Sequence, residues 1–360
     1  MLLRDSYAEI NLGAIAHNIK LAQQLGNGEK IMAVVKANAY GHGLLEVLDT
    51  MIACGIDLFG VATLSEAIAI KQKYPQVDVM ILGHTPDKYL NVVNERGIIQ
   101  TIFSLKQAKV LNAFAVPTRV HIKIDSGFHR LGFAPKREAI GDIKAIEALP
   151  NVEVEGIFSH LALGERADDV AQYELFTKFL SELKAAGLTF KYRHICDSIS
   201  YTRYPEYRMN MVRLGAWLFG MKSYDQSELD LIEALSLKSR ISHISEVKAG
   251  EGVGYDYLFR AECDMRVATI PIGYADGYPR NMSNGGYVII DGKPAAVTGV
   301  INMDQMMVSL LDHPNTKVGD PVTLYGAADG LPIGKIAEIA KTNKNEIMCR
   351  LTPRVARIYR

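Results

Sequence analysis

Over the first two-thirds of the chain, hydrophobic residues form eight short runs separated by stretches with helical spacing. The runs predict the strands Ile31–Val35, Leu58–Ala62, Val79–Gly83, Ile98–Phe103, Arg119–Ile124, Val154–Ser159, Tyr192–Cys196 and Met211–Phe219. Between them, apolar residues three and four positions apart predict amphipathic helices, for example around Leu44–Ile52 and Val170–Leu183. The repeats predict a (β/α)8 TIM-like barrel rather than an open doubly wound sheet, because no long spacer marks a sheet edge.

The pattern changes at about residue 233, where strands begin to come in hairpins. The clearest hairpin is Tyr287–Ile290 and Lys293–Val297, joined by Asp291-Gly292, a dipeptide that favours a type I′ turn. One clear helix is predicted in this half, at Leu331–Thr342. We therefore expect an α/β protein with a barrel over residues 10–232 and a mostly β C-terminal domain over residues 233–360.

Composition narrows the class of protein but does not identify it. Lys plus Arg and Asp plus Glu number 40 each among 360 residues, which gives no electrostatic reason to expect nucleic acid or an anionic membrane as a partner. No apolar run approaches the roughly 18 residues of a membrane span, and the N-terminal residues lack a signal-peptide pattern. The four cysteines are scattered without metal-ligand spacing. We expect no metal site and a cytoplasmic protein with reduced thiols.

Lys36 is the most informative single residue. Five apolar residues lead directly into it, and a turn with two glycines follows. A lysine is rarely buried without a partner, and a partly desolvated amine with a lowered pKa can form a Schiff base with an aldehyde. The alternative is that the ammonium simply reaches water at the end of the strand. On these residues alone, both interpretations stay open.

Further polar residues follow other predicted barrel strands, at their carboxyl ends. In a barrel these ends share one rim, where active sites form. Burying so many polar groups together is costly unless they bind something, which favours a ligand site. The residues are Lys123, Asp125 and Arg130 after the fifth strand, His160 after the sixth, His194 and Ser198 after the seventh, and Arg213 and Gly215 on the eighth.

The segment Val35–Gly43, VKANAYGHG, resembles the pyridoxal 5'-phosphate (PLP) attachment motif of the alanine racemase family, whose fold is type III of PLP enzymes. Further resemblances cover nearly the whole chain, at Met211–Ala216, Gly252–Phe259, Ile270–Arg280 and Asn302–Val308. The family fold implies that residues 1–9 add a strand to the β domain. It also implies a homodimer with shared active sites.

The resemblance assigns roles to individual residues. Lys36 would hold PLP as an internal aldimine, and the reaction implied is interconversion of L- and D-alanine by two bases, Lys36 and Tyr255 of the partner subunit. Arg213 would face the pyridine nitrogen and keep it unprotonated, which favours return of a proton to Cα. The other implied residues are Tyr40, His160, His194, Ser198, Gly215 and Ala216 for the cofactor, Arg130, Asn302, Met303 and Asp304 for the substrate, Lys123 as a candidate carbamylated lysine, and Tyr274 and Arg280 at the entrance.

Three positions depart from the family pattern. Asn302 replaces a usual cysteine beside the substrate side chain, and its amide could bond a hydroxyl, so a serine or broad-specificity alanine/serine racemase is an alternative. Asp197 replaces an asparagine, and Pro353 stands where several members have a tyrosine near the phosphate.

Two further alternatives share parts of this architecture. A fold-type-III PLP decarboxylase would carry a carboxylate against the pyridine nitrogen, and Arg213 speaks against it. A PLP-binding protein without catalytic activity would be built on the barrel alone, and the long β domain speaks against that.

Overall fold

The structure, a computed structural model, describes residues 3–114, 116–223, 226–283 and 285–360. Within these residues, eight parallel strands form a nearly closed barrel in the order β8-β7-β6-β5-β4-β3-β2-β9. The first strand of the chain, β1, lies outside the barrel. The bounds are β1 Tyr7–Ile10, β2 Lys30–Val34, β3 Leu58–Val61, β4 Asp78–Ile81, β5 Ile99–Ile102, β6 Thr118–Lys123, β7 Val152–Phe158, β8 Tyr192–His194 and β9 Met211–Leu214.

The predicted barrel is confirmed, although several strands are shorter than expected, the eighth most of all. The eighth predicted strand ends at Leu214, and Ala216–Phe219 forms a short 3-10 helix instead. Between β8 and β9, the backbone N–H of Arg213 donates to the carbonyl of Cys196 at 3.0 Å. This bond links the two ends of the barrel sheet.

Helices follow most barrel strands and cover the outside of the barrel. The helix Leu64–Lys73 begins with a capping box, because Thr63 and Glu66 each accept the other's backbone N–H. The helix bounds are Leu12–Leu25, Leu44–Ala53, Leu64–Lys73, Leu90–Glu95, Leu105–Leu111, Arg137–Glu147, Arg166–Ala185 and Ser200–Arg203. Among the described residues, no helix is long and apolar enough to cross a membrane.

The C-terminal half is built mainly of antiparallel strands, as predicted. The order β16-β15-β18-β10-β1-β19 forms one sheet, and β11-β14-β17 forms another. β1 pairs antiparallel with β10 and parallel with β19. The bounds are β10 Leu235–Arg240, β11 His243–Val247, β12 Gly252–Val253, β13 Phe259–Arg260, β14 Met265–Ile270, β15 Tyr287–Ile290, β16 Lys293–Ala296, β17 Met306–Ser309, β18 Pro321–Tyr325 and β19 Ala356–Tyr359.

Two local predictions in this half have different outcomes. The hairpin is confirmed, with Ile290 opposite Lys293 and positive φ angles of 48° and 70° at Asp291 and Gly292. The expectation of one clear helix is wrong, because Ile333–Ile339 is followed by a second helix, Lys344–Cys349. The domain boundaries remain a prediction.

An apolar layer fills part of the barrel interior. Six barrel strands contribute one buried residue each, namely Met32, Leu58, Met80, Ile99, Phe158 and Met211. Such a packed layer makes the barrel a rigid support for the polar residues at its rim.

Candidate functional site

A left-handed turn follows Lys36 at the end of β2. Ala37, Asn38, Ala39 and Tyr40 all have φ between 52° and 56°. This conformation costs roughly 1–2 kcal/mol for each non-glycine residue, so the surrounding structure must hold it. Glu66 accepts the N–H of Ala37 at 2.7 Å, and the side chain of Asn38 accepts that of Leu44 at 2.7 Å. The turn therefore fixes Lys36 and Tyr40 relative to the neighbouring helices.

Lys36 and Tyr40 line a cavity of about 400 Å³ at the rim of the barrel. The described lining residues carry four cations, Lys36, Lys123, Arg130 and Arg213, but one carboxylate, Asp197. An excess of positive charge in a partly closed space favours an anionic ligand. The cavity also brings together the sequence-predicted residues His160, Ser198, Gly215 and Ala216.

The two lysines of this cavity are easier to deprotonate than free lysine. Burial, followed by the nearby charge of Arg130, lowers the pKa of Lys36. Burial, with Arg213 next in effect, lowers the pKa of Lys123 to about 7. The Lys123 ammonium also donates to the carbonyl of Ile124 at 2.6 Å. A neutral amine is therefore accessible at Lys123 near neutral pH, and Lys36 loses its proton more readily than free lysine does.

Arg213 is a buried part of the cavity lining and donates to four acceptors. They are the ring nitrogens Nδ1 of His194 at 2.8 Å and of His160 at 3.1 Å, and the carbonyls of Ser159 and Ile195. Burial, and then the charge of Arg213, lowers the pKa of both histidines, so both rings are neutral at pH 7. His194 itself does not line the cavity and supports Arg213 from behind.

Ser198, Gly215 and Tyr40 form a hydroxyl-rich corner of the cavity. The Ser198 Oγ accepts the backbone N–H groups of Gly215 at 3.0 Å and Trp217 at 3.2 Å. Its own proton therefore points elsewhere and can be donated to a ligand. A Cβ atom at Gly215 would lie 2.4 Å from the Tyr40 hydroxyl, so this close approach requires glycine. Burial raises the pKa of Tyr40, which keeps its hydroxyl a donor.

Several predicted residues lie outside this cavity in the single chain. Tyr255 is 67% exposed and Met303 is 53% exposed. The carbonyl of Asn302 accepts the N–H of Tyr274 at 3.1 Å, which joins two of the predicted segments. The carboxylate of Asp304 pairs with Arg354 at 2.6 Å. Arg280, at the start of the short helix Arg280–Ser283, is exposed.

Sequence reasoning missed the contribution of the helix Lys344–Cys349. Asn345 of this helix lines the cavity. Cys349 lies near Lys36, whose charge partly offsets the effect of burial, which raises the pKa of the thiol. Pro353 is exposed and does not line the cavity, whereas Asn345 does. The side chain of Asn343, which accepts the N–H of Glu346 at 2.9 Å, was the available signal for this helix.

Comparison with known proteins gives one consistent result. Residues 10–223 match the model of the alanine racemase N-terminal domain, and residues 234–359 match that of the C-terminal domain. The chain is 37% identical to an alanine racemase of Clostridium novyi over 370 residues, covering 99% of the chain and 96% of that relative. It is 34% identical to one of Methanococcus maripaludis, with full coverage of both.

Solved structures agree with these matches. An alanine racemase of Clostridium difficile superposes with a TM-score of 0.96 at 33% identity, covering 100% of this chain and 97% of that one. A second structure of the Clostridium difficile enzyme, in complex with cycloserine, gives a TM-score of 0.93 at 31% identity and covers 100% and 96%.

Proposed function

The chain belongs to the alanine racemase family, and we propose that it interconverts L- and D-alanine in the Lys36 cavity with PLP as cofactor. The observation that carries the proposal is the cavity itself. It combines an amine of lowered pKa, Lys36, with an excess of cations and a corner of hydroxyl donors. An amine fits an aldehyde, and the cations and hydroxyls fit a phosphate and a carboxylate.

The residues present fit PLP. Lys36 would hold its aldehyde carbon, and Tyr40, Ser198 and the Gly215–Ala216 backbone would hold its phosphate. Arg213 would face its ring nitrogen. When bound, the cofactor supplies an electron sink that makes the substrate Cα proton acidic. Arg213 has donors only and cannot accept a proton, so it offers the ring nitrogen a hydrogen bond without acting as its base.

Racemisation needs one proton-transfer group on each face of Cα. The amine of Lys36, with its lowered pKa, serves one face. We assign the other face to the phenol of Tyr255 of the partner subunit. In this chain Tyr255 lies beside Tyr257 and Leu258, which are 58% and 74% exposed. Such an exposed apolar group suits burial against a second copy of the chain, which supports a homodimer with shared sites.

Arg130 is the candidate for binding the substrate carboxylate. It lines the cavity, and its guanidinium lies 4.3 Å from the centre of the Phe128 ring. Stacking on an aromatic face holds a guanidinium in one plane and leaves its edge free for a carboxylate.

Serine is a second candidate substrate, and one observation favours it. The side-chain oxygen Oδ1 of Asn302 is buried and has no hydrogen-bond partner among the described residues. A buried acceptor without a partner is costly, and a substrate hydroxyl could satisfy it. Asn302 would thus act as a specificity residue for a hydroxylated side chain.

The test is racemisation of L-alanine and L-serine by the purified, PLP-loaded protein, followed by chiral chromatography. We expect turnover of alanine, and loss of activity in Lys36→Ala. Serine turnover with a kcat/KM comparable to that of alanine would assign the specificity role to Asn302. Turnover of neither amino acid would contradict the proposed function.

A further inference from the structure

A buried row of four polar side chains crosses the barrel interior. It starts at Arg213 on β9, continues through His194 on β8 and His121 on β6, and ends at Glu155 on β7. Arg213 lies 2.8 Å from Nδ1 of His194, and Nε2 of His194 lies 2.9 Å from Nδ1 of His121. Nε2 of His121 lies 3.8 Å from the carboxylate of Glu155. Each of the four is at most 7% exposed.

The arginine fixes where every proton in this row lies. A guanidinium only donates, so Nδ1 of His194 must accept. The neutral ring of His194 then carries its proton on Nε2 and donates it to Nδ1 of His121. His121 in turn carries its proton on Nε2, the nitrogen that faces Glu155. Both hydrogen bonds of the row therefore point the same way, from the cation towards the side on which the carboxylate lies.

A β-bulge in the backbone sets the position of Glu155 at the end of this row. In the pairing of β6 with β7, Val120 lies opposite Val154 and His121 opposite Gly156, so Glu155 is the extra residue of a β-bulge. Bulges re-aim side chains and often lie next to functional sites. A Cβ atom at Gly156 would lie 2.6 Å from the His121 ring, so glycine makes the room for this histidine.

Two groups in this row lack the partner that their chemistry favours. Among the described residues, no carboxylate lies within hydrogen-bond distance of the buried Arg213, whose partners are rings and carbonyls. Nε2 of His121 is buried and has no hydrogen-bond partner in the part of the chain that the structure describes. The carboxylate of Glu155 is the negative charge at the far end of the row, 3.8 Å from Nε2 of His121, and it also accepts a hydrogen bond from the ammonium of Lys191 at 2.9 Å.

We propose that Glu155 is a positioning residue, whose charge, 3.8 Å from Nε2 of His121, holds Arg213 through the two directed hydrogen bonds that His194 makes with His121 and Arg213. This assignment of a role in catalysis rests on the proposed function, because Arg213 is the group that would contact the cofactor ring. The direction of the hydrogen bonds does not depend on the proposed function. The rival interpretation is that Glu155 is only the anchor of a surface ion pair with Lys191 and Arg119.

The direction is tested by NMR of the PLP-loaded protein with nitrogen-15 in its histidine rings, where each nitrogen shows whether it carries a proton. His121→Asn assigns the His121 signals. We expect His121 and His194 to be neutral, each with its proton on Nε2. A proton on Nδ1 of His194 would contradict the proposed direction of the hydrogen bonds. Because this measurement needs no turnover, a protein that fails to racemise alanine contradicts the proposed function and leaves this test intact.

The role of Glu155 is tested with Glu155→Gln, which keeps the shape and removes the charge, and with Lys191→Ala as the matched control. For Glu155→Gln we expect a shifted Nε2 resonance of His121 and a kcat/KM for alanine reduced roughly three- to tenfold. For Lys191→Ala we expect neither change. Glu155→Asp keeps the charge on a shorter side chain, so its His121 Nε2 resonance should lie between those of the wild type and Glu155→Gln. If Glu155→Gln does not fold, Glu155→Asp is compared with the wild type instead. If Glu155→Gln and Lys191→Ala give the same His121 resonance and the same kcat/KM, Glu155 acts only in the ion pair, and the proposal is wrong.

Discussion

Lys36 and Lys123 share one cavity and have different surroundings. Lys36 is followed by the strained turn and lies near Cys349, whereas Lys123 extends from β6 and is 5% exposed. The charges that act most strongly on the pKa of Lys123 are those of Arg213, Asp125 and Arg130, two of them cationic. An uncharged or anionic group at the Lys123 position would relieve this repulsion, which a protonated lysine cannot do.

We therefore predict that Lys123 is carbamylated. Its amine, with a pKa of about 7, is neutral above that pH and can react with carbon dioxide to give a carbamate and a proton. With carbon-13 bicarbonate, NMR should show a protein-bound carbamate signal that grows as the pH rises through 7. The signal should be absent in Lys123→Arg. A wild-type protein without the signal at pH 8.5 would contradict the prediction.

At Tyr255 we predict an effect that depends on the enantiomer. If the phenol serves one face of Cα, as proposed, Tyr255→Phe should slow deuterium exchange at Cα mainly for one enantiomer of alanine, by roughly 100-fold or more, as expected for loss of an acid–base group. The matched control is Tyr257→Phe, two residues away and similarly exposed, which should leave both rates unchanged. Small and equal effects of Tyr255→Phe on both enantiomers would demote this tyrosine to a packing role.

The secondary-structure elements show where sequence patterns suffice and where they fail. Apolar runs located the barrel strands, but the run from Met211 to Phe219 continues past the strand into a 3-10 helix, which periodicity alone cannot separate. The helix Lys344–Cys349 is too short and polar to give a periodic signal. The bulge at Glu155 left no signature in the sequence, so this residue looked like any polar position of a strand.

The candidate site was predictable to the extent that its residues end strands. Lys36, Lys123, His160 and Arg213 follow from that rule alone. Tyr255 does not, because an exposed tyrosine in a short helix has no chemical signal in one chain. Residues that act across an interface are identified by resemblance and not by the local pattern.

The left-handed turn after Lys36 makes a prediction at the level of this element. Asn38→Ala loses the acceptor for the N–H of Leu44 and places alanine in a left-handed conformation, so we expect the free energy of unfolding to fall by about 2 kcal/mol. Asn38→Gly loses the same acceptor without the steric penalty and should cost about half as much. Urea unfolding of both variants measures the difference. A glycine variant less stable than the alanine variant would contradict the role of backbone strain here.

For the whole molecule, the prediction concerns where Tyr255 acts. Lys36→Ala and Tyr255→Phe are each expected to be nearly inactive as homodimers. If Tyr255 acts across the interface, a mixed dimer has one site with both native residues, and random mixing should restore about a quarter of wild-type activity. Subunits are mixed by refolding together, and activity is compared with each variant refolded alone. If both residues act within one chain, no mixed dimer has a complete site, and no activity returns.

The position of β1 in the C-terminal sheet also bears on how the protein is made. β1, at residues 7–10, finds its neighbours only at residues 235–240 and 356–359. A ribosome adds residues one after another, at roughly 5–20 per second, so β1 waits unpaired until residues 235–240 emerge and gains its second neighbour only when residues 356–359 follow. The barrel strands meet early, but the sheet beside them closes only after synthesis is almost complete. Nascent chains that stall late should therefore carry a folded barrel and an exposed strand edge, which makes them clients for chaperones.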